Sequence, residues 1–219
     1  MARGQIEKRG QRRRKLKPVI LIITEGSQTE PKYFEHFRSR QTNIEIRVVG
    51  GRTKGGETDY LSLIRKAVEY KAKNQISASN GDTIWVIADG DVNYNNSNPI
   101  TAKNALLSKA RKMADTKGIH IAISNPCFEF WFLLHFQYTT KFFKDYSSVK
   151  AALTAYLPNY EKTGNVYLQL LEHAADAIQN AERVEQYHLQ NGYNKPFGID
   201  VNPFTDIYQL VKSLLQRNT

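Results

Sequence analysis

The apolar positions of the 219-residue chain alternate between two textures. Pro18-Val-Ile-Leu-Ile-Ile-Thr24 is a short run, mostly β-branched, with no polar alternation. That is the texture of a strand buried on both faces of a parallel sheet. Ile44 to Val49 reads as a second strand, Asp82 to Ala88 as a third and Ile119 to Ser124 as a fourth. Between them the spacing becomes helical. Ser27-Gln-Thr-Glu30 has the form of a capping box, and Pro31 suits the first turn of a helix carrying Tyr33, Phe34 and Phe37. A glycine-rich loop, Gly50 to Thr58, precedes a helix from Asp59 to about Asn74, whose apolar stripe is Leu61, Ile64, Ala67 and Val68. Thr101 to Lys117 reads as a third helix.

This β-α-β-α-β-α-β order predicts an α/β fold with an open, mainly parallel sheet of about four strands, flanked by helices through right-handed crossovers. Beyond it the pattern is mainly helical, at about 126–137, 147–157, 166–190 and 204–216. Three regions follow: a tail over 1–17, an α/β core over 18–125, and a helical extension over 126–219 packed on that core. Internal repeats are absent from the sequence.

Composition narrows the function classes. A net charge of +10 points toward an anionic partner. Residues 1–17 hold eight Lys/Arg against one Glu, so the tail carries +7 and the other 202 residues only +3. The tail reads as a solvated, disordered arm, and equally as an arm whose Arg12, Arg13, Arg14 and Lys15 neutralise phosphates of DNA or RNA. The two readings are compatible. A single cysteine, Cys127, excludes a disulfide framework and a Cys-rich zinc site, as expected in a reducing cytoplasm. Val19 to Ile23 is too short for a secretory signal, and no segment approaches the roughly 20 apolar residues of a membrane span.

The chemistry-bearing residues sit at strand ends. Glu25-Gly26 follows the first strand and Asp89-Gly-Asp91 follows the third. Ligand sites in open parallel sheets form outside the carboxyl ends of the strands, so the three carboxylates meet if those strands are neighbours. Residues i and i+2 of an extended segment point the same way, which lets Asp89 and Asp91 address one cation. Clustered carboxylates repel unless a cation neutralises them, and hard oxygen donors favour Mg²⁺ or Mn²⁺ over zinc. Backbone N–H groups at Gly26 and the helix start offer a seat for a phosphate oxygen. Ordinary turn chemistry is the competing explanation of Asp-Gly-Asp and Glu-Gly.

Glu-Gly ending one strand with Asp-x-Asp ending a later one resembles the Toprim fold of topoisomerases, primases and overcoming-lysogenization-defect nucleases. More specifically, Ile22-Ile-Thr-Glu-Gly-Ser-Gln-Thr-Glu-Pro-Lys-Tyr-Phe34 resembles the opening motif of the RloB-like family. Asp89-Gly-Asp91, the stretch from Ser124 through Pro126-Cys-Phe-Glu129 to Phe136, and Asn202 to Val211 agree with it. The resemblance spans about residues 18 to 215. It implies a bacterial Toprim-like phosphotransfer or nuclease domain associated with restriction-modification or abortive-infection defence. It further implies Glu25 as metal ligand or general acid/base, and Asp89 and Asp91 as holders of Mg²⁺. Many members carry a basic residue between the two aspartates, where this chain has Gly90.

Further candidates have a structural alternative beside each. Glu129 lies in the apolar stretch from Cys127 to Leu134, where a carboxylate must be paired or cation-bound. It reads either as a site residue or as a buried structural partner. His135 is six residues on, far around the helix, and reads as a core histidine; Cys127 reads as a small buried hydrophobe. Tyr160-Glu-Lys162 resembles a basic motif of the family, with Lys162 either stabilising phosphate charge or simply solvated. Gly50-Gly-Arg-Thr-Lys-Gly-Gly56 fails the P-loop pattern, yet Arg52 and Lys54 can touch a nucleic-acid backbone if the loop borders the site. The expected function is a Mg²⁺- or Mn²⁺-dependent nuclease on DNA or RNA. The alternative is a non-catalytic nucleic-acid- or protein-binding subunit of a defence complex. A partner ATPase or restriction-modification components fit either.

Overall fold

The computed structural model describes residues 17–38, 43–51, 60–92, 94–95 and 97–218. The candidate nucleic-acid contacts Arg12, Arg13, Arg14, Lys15, Arg52 and Lys54 lie outside the described residues. Five strands, β1 (Val19–Thr24), β2 (Glu45–Val49), β3 (Thr83–Asp89), β4 (His120–Asn125) and β5 (Phe204–Thr205), form one sheet in the order β2-β1-β3-β4-β5. All neighbours are parallel except β4 and β5. The fold is therefore the open, mainly parallel α/β sheet that the alternation predicts.

β1 is buried along its whole length, as its unbroken apolar run requires. The chain moves from β1 to β2 in one direction and from β2 to β3 in the other. With right-handed crossovers, this reversal puts helix α1 (Thr29–Glu35) on one face, and α2 (Tyr60–Lys73) and α3 (Pro99–Lys117) together on the opposite face. α3 opens with Pro99 and stops at Gly118, whose φ of 64° is the left-handed conformation that closes a helix.

The region after β4 departs from the expected outline. The helix expected over 126–137 is only α4 (Glu129–Leu133). The helix expected from 204 begins later, as α8 (Ile207–Asn218), because Phe204 and Thr205 form β5 against Ser124 and Asn125. The helical extension thus completes the sheet as a fifth strand, and Ser124 Oγ donates to Thr205 Oγ1 at 2.7 Å to fasten it. The helix expected over 147–157 is the shorter α5 (Tyr146–Leu153), and the one expected over 166–190 is broken at Glu172 and His173 into α6 (Tyr167–Leu171) and α7 (Ala174–Gln190). α5 carries a true capping box, Asp145 with Ser148. Edge-to-face contacts among Tyr33, Phe34, Phe128 and Phe132 lock α1 to α4 on one face. Among the described residues, no helix is long and apolar enough to cross a membrane.

Candidate functional site

The reversal of strand order falls between β1 and β3, where open α/β sheets leave a crevice at the carboxyl ends of their strands. A cleft of about 400 Å³ lies there. Glu25, Glu30, Asp89, Asp91 and Glu129 line it, with Lys162 as the one cation among the described residues of its wall. The strand-end carboxylates that the sequence singles out are thus brought together.

Backbone register sets each side chain. Thr24 pairs with Ile87, and the Glu25 N–H donates to Ile87 O at 3.2 Å, so Glu25 leaves β1 alongside the end of β3. Its Oε2 accepts from the Asp89 N–H at 3.2 Å. Past Asp89 the chain keeps to β4: the Gly90 N–H donates to Ser124 O at 2.7 Å and the Asp91 N–H to Pro126 O at 2.9 Å. This extended path lets Asp89 and Asp91 both face the cleft, Asp89 half-buried and Asp91 exposed. Asp89 Oδ1 is sealed from solvent and has no hydrogen-bond partner. Gly90 has a steric reason. A Cβ at this position would overlap the Asn125 side-chain amide, whose Nδ2 donates to the carbonyls of Ile199 and Val201. The basic residue expected from the resemblance has no room here.

Glu30 enters the site although its sequence context marks it as a cap. α1 begins at Thr29, and no side chain caps it. Glu30 instead turns inward, and its Oε1 accepts from the Gly26 N–H at 3.1 Å. That bond corrects the expectation of a phosphate seat at Gly26, since the amide already has an internal acceptor. Thr24 Oγ1 donates to Gly26 O at 2.8 Å and holds the turn from the other side.

Glu129, in the first turn of α4, is 1% exposed. Its Oε1 accepts from the Tyr160 hydroxyl at 3.0 Å and lies 3.9 Å from Lys162 Nζ. Tyr160, like Glu30, carries no local sequence signal for this role. His135 sits in the core as expected: its Nδ1–H donates to Trp131 O at 2.9 Å, and burial pulls its pKa down to about 4. Cys127 is buried as well, and burial first, then Glu129 and Asp89, push its thiol upward.

Burial, then repulsion from Glu30, Glu129 and Glu25, raises the Asp89 pKa well above the ordinary carboxylate value, against the pull of Lys162. Burial also raises Glu30, opposed by its backbone hydrogen bonds and assisted by Glu129 and Glu25. The cleft is therefore a concentration of negative charge with Lys162 as the one cation at its rim among the described residues. Among the described residues, no three Asp, Glu, His or Cys side chains are preassembled around a single metal position.

The four sequence stretches that carry the resemblance occupy β1 and α1, the end of β3, the turn from β4 into α4, and β5 with the start of α8. The first three border the cleft; the fourth braces β4. No curated protein and no solved structure matches the chain. The family model for RloB-like protein matches residues 20–214, from β1 into α8, and this chain belongs to that family.

Proposed function

We propose that this chain is a Mg²⁺- or Mn²⁺-dependent nuclease of Toprim-like type that hydrolyses phosphodiester bonds of DNA or RNA in bacterial anti-phage defence. The observation that carries the reading is the buried, unpartnered Oδ1 of Asp89 amid other carboxylates. A sealed carboxylate oxygen without a donor calls for a cation, and an all-oxygen donor set suits Mg²⁺ or Mn²⁺. Glu25, Asp89 and Asp91 would hold the ion, which supplies Lewis-acid stabilisation of phosphate charge and an acidified water. Glu25, whose Oε2 reaches the Asp89 amide at the strand end, serves as metal ligand or as the group that takes and returns a proton, the two roles that the resemblance implies. Lys162 adds a positive charge for a phosphate oxygen at the rim. The defence setting, with a partner ATPase or restriction-modification components, follows from the resemblance of the four motifs.

The test is cleavage of single- and double-stranded DNA, RNA and tRNA with Mg²⁺ or Mn²⁺, against EDTA, Glu25→Gln and Asp89→Asn. Loss of cleavage in all three controls is the expected result; cleavage that survives them overturns the site. The alternative reading is a non-catalytic nucleic-acid- or protein-binding subunit of a defence complex. That subunit would bind its partner without metal and with both variants unimpaired.

A further inference from the structure

We infer that Glu129 and Tyr160 are positioning residues that set the Lys162 ammonium at the rim of the carboxylate cleft, where it meets a phosphate oxygen of the substrate. Only the identity of that phosphate rests on the nuclease reading.

A carboxylate as buried as Glu129 must be compensated by hydrogen bonds or charge. One oxygen, Oε1, provides for both needs: it accepts from Tyr160 and faces Lys162. Tyr160 and Lys162 stand two residues apart, so one rigid acceptor in α4 fixes their whole segment. Lys162 remains 51% exposed, its Nζ 4.1 Å from the centre of the Tyr146 ring. The ammonium is thus held from two sides while its outward side stays open. Burial works against its charge, but Glu129 and Asp89 outweigh that and raise its pKa.

The segment is also laced to α1. Thr29 Oγ1 donates to Lys162 O at 3.4 Å, Lys32 Nζ donates to Thr163 O at 2.5 Å, and His36 Nε2 lies 3.1 Å from Asn165 Oδ1. Residues 29, 32 and 36 share one helical face. The helix that follows Glu25 therefore also pins the backbone around Lys162, which ties the position of the cation to that of the carboxylates. A metal ligand at Glu129 would set the ion against this ammonium, so the geometry points to support of Lys162 instead.

The experiment is amine acylation of the full chain in EDTA at pH 8, read lysine by lysine by mass spectrometry. Glu129→Gln should speed Lys162 acylation several-fold, because it removes the carboxylate that favours the charged amine. Lys141 and Lys144, exposed and distant in sequence, serve as internal references. Tyr160→Phe keeps the ring in the aromatic wall and should give a smaller rise in the same direction; it decides the matter if the Glu129 variant does not fold. Unchanged Lys162 acylation in a folded variant overturns the positioning role. In the cleavage assay, Glu129→Gln and Lys162→Ala should lower kcat alike, and the double variant no further. A changed footprint without any cleavage in wild type would sink the nuclease reading and leave the positioning role standing.

Discussion

Two aspartates mark the ends of β3, and they use their oxygens in opposite ways. At the entrance, Asp82 Oδ1 accepts from the Val19 N–H at 2.8 Å and Oδ2 from the Ser77 N–H at 2.9 Å. Both oxygens stitch the start of β1 to the turn before β3. At the exit, Asp89 keeps Oδ1 sealed and unpartnered, with carboxylates for neighbours. One end of the strand is satisfied by backbone donors and serves folding. The other is held in mutual repulsion, a state that the surrounding sheet sustains and a cation would relieve.

The sharpest way to break this contrast is to neutralise each end in turn. Asp89→Asn and Glu25→Gln should each lower cleavage on the order of 10²–10⁴-fold, the range of a lost proton-transfer group or its equivalent. Asp89→Asn should leave the denaturant midpoint unchanged or higher, since a repelled charge disappears. Asp82→Ala should do the reverse. Its loss of two charge-assisted bonds costs about 2–4 kcal/mol, with the rate per folded molecule retained. Equal destabilisation by both would erase the distinction.

The glycines at the two ends sharpen it further. Gly81, before β3, has φ 82°, and a Cβ there meets only ordinary contact with Pro18. Its need is conformational. Gly90, after β3, lacks space because of Asn125. Gly90→Ala should cost about 1–3 kcal/mol by overpacking, and Gly81→Ala about 1–2 kcal/mol by backbone strain. Asparagine tolerates the left-handed region, so Gly81→Asn should recover much of its loss while Gly90→Asn recovers none. Thermal unfolding of the four variants separates the two causes.

Legibility followed the same divide. β1 and β3 could be read because strands buried on both faces are continuous apolar runs, and Glu25 and Asp89 could be placed because they end those runs. The adjacency of β1 and β3 was only conditional, since strand order is not written in periodicity. β5 escaped because two residues make no pattern, and its Phe204 suits a helix start as well. α4 is shorter than its pattern suggests because Cys127 to Phe136 is apolar but for Glu129 and His135, and offers no continuous polar face to mark where the helix stops. Glu30 was masked by its own spacing: Ser27-x-x-Glu30 fits a capping box, and only the tertiary fold turns the carboxylate to Gly26. The partnership of Tyr160 with Glu129 crosses 31 positions and has no local trace.

Acidity gives a smaller, graded test. The folded-state pKa values of Asp89 and Glu30 are raised, so the native state binds more protons than the unfolded chain above the ordinary carboxylate range. Their favourable contribution is full below the unfolded pKa and is lost as pH rises through the folded values. In EDTA the melting temperature should therefore climb as pH falls from 8 toward 5. Mg²⁺ should raise it most at pH 8, where the carboxylates are charged. Asp89→Asn should flatten both trends. A slope unaffected by Asp89→Asn would show that the repulsion lies elsewhere; Asp206, raised to about 6 chiefly by burial, is then the residue to neutralise.

The smallest effect concerns what keeps the exit end of β3 in place. The Tyr60 hydroxyl donates to Asp89 O at 2.9 Å from the start of α2, fastening the backbone on the face opposite α1. Tyr60→Phe keeps the buried ring and removes one neutral hydrogen bond, worth about 0.5–1.5 kcal/mol. If the bond only adds stability, the midpoint falls by that amount and Mg²⁺ dependence is unchanged. If it also fixes the direction of Asp89, the Mg²⁺ concentration needed for half-maximal cleavage rises several-fold at unchanged kcat. The second outcome is expected, because the Asp89 amide is tied to Glu25 and its carbonyl to Tyr60, which leaves the carboxylate little freedom but to face the cleft.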